Sequence, residues 1–100
     1  MRASADDLAR AVQIALIGEV PPSLRFIDAK LESGVLSFRA VFDKSATEDH
    51  LECARVVCTE VLAKCPDGTK LEEAIEVDNT TPWPRSESLQ YLRYGELSDT

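Results

Sequence analysis

Long apolar runs are missing from this 100-residue chain. The longest, Ile14 to Ile17, is four residues, far below the roughly 20 that span a bilayer. Met1 to Ser4 run into Asp6 and Asp7 without the apolar core of a secretory signal. The expectation is a cytoplasmic protein with no membrane partner. Histidine is almost absent, with His50 the only one. The four glycines are isolated, so no loop cradles a phosphate, and there is no Asp-rich calcium loop. No cofactor and no metal are expected. Bases are outnumbered, 11 against 18 acids, for a net charge of −7 and a pI near 4.6. The basic residues stand singly, which argues against direct nucleic-acid binding.

Cysteine is scarce as well. Cys53, Cys58 and Cys65 lie five and seven residues apart in one helical stretch. At about 1.5 Å of rise per residue, those spacings are too wide for a disulfide and wrong for a zinc set. Cys58 and Cys65 fall on the apolar stripe and are read as small buried hydrophobes. A His50/Cys53 dyad has no orienting third group in the sequence, and His50 is read as a solvated surface histidine. The chain is therefore expected not to be an enzyme.

What is present describes one folded domain. The chain is 44% hydrophobic, with only nine glycines and prolines together, a composition that supports a single modest core. Residues 4–17 pattern as a helix capped by Ser4, with Leu8, Ala11, Val12, Ala15 and Leu16 on one stripe. Residues 24–32 and 35–43 pattern as a hairpin closed by Ser33-Gly34. That turn sets Leu31 against Leu36, Ala29 against Phe38 and Ile27 against Ala40 on one face, and Asp28 against Arg39 on the other. A second helix is expected over 46–65, opened by a Ser45/Glu48 capping box and stopped at Pro66-Asp67-Gly68. Strands are expected near 70–78 and 89–94, joined by a long loop around Trp83. The order α-β-β-α-β-β, with one apolar stripe per helix, predicts an α+β domain spanning residues 1–100. Its four-stranded antiparallel sheet would carry both helices on one face.

The charge is unevenly placed. Residues 1–42 are neutral overall, whereas 43–78 hold ten acids and four bases. Asp43, Glu48, Asp49 and Glu52 line the start of the second helix. Glu72, Glu76 and Asp78 share one face of the third strand, together with Ala74. Such a field attracts a basic partner or cation; otherwise it is a solvated face that discourages aggregation. Tyr91 and Arg93 share a face of the last strand and suit an interface anchor or a rim pair. Trp83, between two prolines, suits either the core or a partner.

Five segments carry a resemblance. They are Leu16-Ile17-Gly18-Glu19-Val20-Pro21-Pro22-Ser23-Leu24-Arg25, Val41-Phe42-Asp43, Thr59-Glu60-Val61-Leu62-Ala63, Ile75-Glu76-Val77-Asp78 and Tyr91-Leu92-Arg93-Tyr94-Gly95-Glu96. In this order and spacing the chain resembles small acidic bacterial immunity proteins of contact-dependent growth inhibition and related polymorphic toxin systems. It departs from that pattern at Gln90 and around Cys65-Pro66. The resemblance implies a non-enzymatic inhibitor of a cognate, basic, nuclease-type toxin domain, with the acids above, Tyr91 and Arg93 as candidate contacts. The alternative is a small structural or adaptor protein, for which pairing through an exposed strand edge would give a homodimer.

Overall fold

The computed structural model describes residues 5–16, 20–85, 88–93 and 96. Ser4, Gly18, Tyr94 and Gly95, singled out above, lie outside the described residues. The elements are α1 (Ala5–Ala15), β1 (Leu24–Glu32), β2 (Val35–Phe42), α2 (Glu48–Ala63), β3 (Lys70–Val77) and β4 (Leu89–Leu92). They form a single α+β domain.

β1 and β2 pair antiparallel in the register the sequence predicts, from Leu31 opposite Leu36 to Ile27 opposite Ala40 and Asp28 opposite Arg39. Ser33 and Gly34 both take positive φ, 53° and 77°, as a two-residue hairpin turn matched to strand twist requires. The register shifts between Leu24 and Phe26. Arg25 is the extra residue of this bulge, and a bulge re-aims the side chains beside it.

The strand order is β3-β2-β1-β4, and the sheet is mixed. β2 and β3 run parallel, whereas β1 is antiparallel to both β2 and β4. The expectation of a purely antiparallel sheet is thus corrected, and the cause is α2. Its sixteen residues carry the chain back along the sheet, so β3 starts beside the start of β2. That is the crossover a parallel pair needs. β3 and β4 occupy opposite edges, and the segment 78–88 bridges them.

One face of the sheet meets both helices. Leu8, Ala11, Val12 and Leu16 pack with Ile27, Ala29, Leu36, Phe38 and Ala40, and with Ala54, Val57, Cys58 and Val61 from α2. Each large side chain fully buried here contributes roughly 1.5–3 kcal/mol. On the opposite face Phe26 pairs with Val41, and both are fully buried. The guanidinium carbons of Arg25 and Arg39 each stand 5.6 Å from the Phe26 ring centroid.

The start of α2 also differs from expectation. The N-cap is Thr47, whose hydroxyl accepts from the His50 N–H at 3.2 Å, while His50 Nδ1 accepts from the Thr47 N–H at 3.3 Å. A histidine therefore performs the reciprocal half of the capping box. Ser45, expected in that position, is held by Asp43 Oδ1, which accepts from its N–H at 2.8 Å and its hydroxyl at 2.5 Å. That local bond diverts Ser45 from the cap. Among the described residues, no helix is long and apolar enough to cross a membrane.

Candidate functional site

The bulge at Arg25 turns an arginine into the protein interior, where it is 5% exposed. Its Nε and Nη2 donate to Oε1 of Glu96 at 3.1 and 2.5 Å. Its Nη1 donates to the Asp78 carbonyl at 2.7 Å and Nη2 to the Thr81 carbonyl at 2.8 Å. One buried guanidinium thus ties Glu96 to the start of the segment that follows β3. Arg93 completes the cluster. Its Nη1 donates to Asp43 Oδ2 at 2.6 Å and to the Pro22 carbonyl at 3.1 Å, and its Nη2 to Glu96 Oε2 at 3.0 Å.

These bonds favour the charged carboxylates. The Ser45 hydroxyl, then Arg93, hold Asp43 down at about 2. Arg25 bonding keeps the Glu96 carboxyl below its usual range against the opposing effect of burial. Bonding to Asp43 raises the Arg93 pKa further. Asp78 is also held well below the usual carboxylate range, by the Thr81 hydroxyl and the Thr80 N–H and hydroxyl. It caps the loop that follows β3 rather than extending the acidic row of that strand.

Arg25, Arg93, Asp43 and Glu96 bring two charges of each sign together, so their cluster adds no net charge to the surface. The field comes instead from acids on the surface. Glu48, Asp49 and Glu52 are exposed over the first turns of α2, with Glu52 Oε1 accepting from Arg55 at 3.0 Å. Glu72 and Glu76 are exposed on β3, on the face away from the helices. Glu76 accepts from Arg39 Nε at 2.7 Å and Glu72 from the Ser37 hydroxyl at 3.3 Å. The candidates thus divide: Asp43, Asp78 and Arg93 are engaged within the fold, whereas the α2 and β3 glutamates and Asp49 form two acidic strips on the surface.

A model of the MafI2 immunity protein family matches residues 5–94. The chain belongs to the MafI2 immunity protein family. No curated protein matches it. The match runs from the first residue of α1 to just past β4, so it takes in all six elements.

The remaining candidates sit as follows. Tyr91 packs half-buried against the helix-side core, opposite Ile27, and burial pushes its phenol pKa up. Arg93 lies beyond the end of β4 and turns to Asp43 and Glu96. Trp83 is half-buried in the crossing segment, with the Arg85 guanidinium carbon 4.6 Å from its ring centroid. His50 is not the solvated surface histidine expected. It is half-buried, with Nδ1 2.7 Å from Oγ of the fully buried Ser23. That contact locks α2 to the entry of β1. Cys58 is fully buried, and desolvation, aided by its bond to Glu73, pushes its thiol up to about 12. Among the described residues, no three His, Cys, Asp or Glu side chains gather as a metal site requires.

Arg25 and Glu96 are what sequence reasoning missed. The available signal was a charge inside an apolar stretch, Leu24-Arg25-Phe26-Ile27, where an arginine has to find a partner or leave the strand.

Proposed function

We propose that this MafI2 family member is a non-catalytic immunity protein that binds a cognate toxin domain and neutralises it in the cytoplasm. The family match over residues 5–94 carries the proposal. The toxin is of the basic, nuclease type found in contact-dependent and polymorphic toxin systems. Its lysines and arginines meet the surface acids of this chain, Glu48, Asp49 and Glu52 on α2 and Glu72 and Glu76 on β3. A toxin evolved to grip phosphate carries a positive cleft, and an acidic protein is steered to that cleft and covers it. The uneven charge supports this reading, because residues 43–78 carry a net charge of −6 (ten acids, four bases) of the total −7. Asp43, Asp78 and Arg93 serve by holding the 78–88 crossing and the last strand in place, and Tyr91 by packing that strand on the core.

The test is co-expression with the toxin domain encoded beside this chain, followed by titration of the purified toxin's nuclease activity. Rescue of growth and stoichiometric loss of activity are expected. Undiminished toxicity with a stably expressed chain overturns the proposal.

A further inference from the structure

β3 ends the sheet, and among the described residues no other strand lies on its far side. Its pairing with β2 is unbroken from Val35 opposite Lys70 to Phe42 opposite Val77. The Lys70 N–H donates to the Gly34 carbonyl and the Asp78 N–H to the Phe42 carbonyl. By the twofold alternation of a strand, even-numbered residues turn their backbone groups to β2. The N–H and C=O groups of Leu71, Glu73, Ile75 and Val77 therefore point outward.

Proteins usually blunt such an edge by shortening it, bulging it, or placing proline or inward charge on it. The opposite edge follows that rule, since β4 has four residues and an irregular register. β3 does not. It has eight residues, no proline, no glycine and no bulge, and Leu71 and Val77 are 39% and 50% exposed beside it. Its one safeguard is charge, Glu72, Glu73 and Glu76 against Lys70. That safeguard is selective. Antiparallel pairing with a second copy about Glu73 sets Glu73 against itself, although it also sets Lys70 against Glu76, and pairing about Ala74 sets Glu72 against Glu76 on both sides of the axis; like charges directly opposite destabilise a sheet. A basic strand meets attraction instead.

We infer that the outer edge of β3 is the docking rail for an extended segment of the toxin. That segment pairs with the outward groups of Leu71, Glu73, Ile75 and Val77 as a fifth strand. Its side chains alternate, apolar residues lying beside Leu71 and Val77 on the helix side and lysine or arginine beside Glu72 and Glu76 on the other. The inference rests on the immunity reading and gives it a geometry.

The experiment measures amide hydrogen exchange of the full chain with and without the toxin domain encoded beside it, together with the affinity of Leu71→Pro. The Leu71 N–H points outward, so proline there removes no bond to β2. Protection of the Leu71, Glu73, Ile75 and Val77 amides on binding is expected, with an affinity loss of about tenfold or more in Leu71→Pro at unchanged circular dichroism. Tight binding with those amides unprotected overturns the rail and leaves the immunity reading standing. No binding overturns both. A toxin-free dimer that protects the same amides overturns the choice of partner. If Leu71→Pro fails to fold, the exchange measurement decides alone.

Discussion

Arg25 and Glu96 stand 71 positions apart in the chain, yet Nη2 of one lies 2.5 Å from Oε1 of the other, with each side chain only 7% exposed. Removing one partner strands a buried charge. Arg25→Ala or Glu96→Gln should therefore cost about 3–5 kcal/mol in urea unfolding. Replacing both with apolar residues of similar volume should cost much less, because no charge is then left uncompensated. Equal losses in the single and double variants would show that the pair matters only for its packing.

Acid should unfold the protein through the same cluster. Asp43 and Glu96 have folded-state pKa values below their ordinary ones, so their contribution is complete above the ordinary carboxylate range and is lost as pH falls through the folded values. For Asp43 that window runs from 3.8 down to about 2, and for Glu96 it opens below 4.5. Stability measured across this window should fall as pH drops. Asp43→Asn should be less stable at neutral pH and show a shallower fall. An identical slope in the variant would show that Asp43 does not carry the pH dependence.

The start of α2 offers a separable test. Thr47→Ala should cost about 1 kcal/mol, an ordinary cap loss. His50→Ala should cost more, about 1–3 kcal/mol, because it also leaves the buried Ser23 hydroxyl without its partner. His50→Gln restores the usual capping-box residue and should recover part of the loss. Thermal unfolding of the three variants decides the order, and His50→Ala no worse than Thr47→Ala would refute the Ser23 link.

Ser33 holds φ at 53°, a left-handed conformation that serine seldom adopts. Ser33→Asn should stabilise the hairpin by about 0.5–1 kcal/mol, since Asn-Gly is the preferred pair for such a turn. A neutral or negative shift in the urea midpoint would contradict that assignment.

The hairpin was legible residue by residue because two constraints agree. Ser33-Gly34 fixes the register, and the same register puts Leu31, Ala29 and Ile27 against apolar partners and Asp28 against Arg39. The parallel β2–β3 pair was legible in principle from the helix between those strands, but alternation of side chains along Lys70–Val77 reads the same in either direction. The Thr47–His50 cap was obscured by a second, equally regular pattern two residues earlier at Ser45–Glu48. The site was legible only in its charge balance. Nothing local tells Asp43, which turns to Arg93, from Glu48, which faces solvent, because the distinction rests on a partner 50 residues away. The bulge that buries Arg25 is likewise set by the strands on either side of it.

Charge reversal separates the two acidic strips. Glu48→Lys with Glu52→Lys tests α2, and Glu72→Lys with Glu76→Lys tests β3. Reversing either strip should slow association at low salt and flatten its salt dependence, by about tenfold or more for the β3 strip beside the docked strand. Stopped-flow association gives both numbers. Unchanged rates in both variants would move the interface to apolar anchors such as Trp83.

The most direct measurement is a calorimetric titration of the chain into the toxin domain encoded beside it, at low and high salt. A tight one-to-one complex that weakens as salt rises is expected. The absence of heat and of a complex at either salt concentration, with both proteins folded, would contradict it.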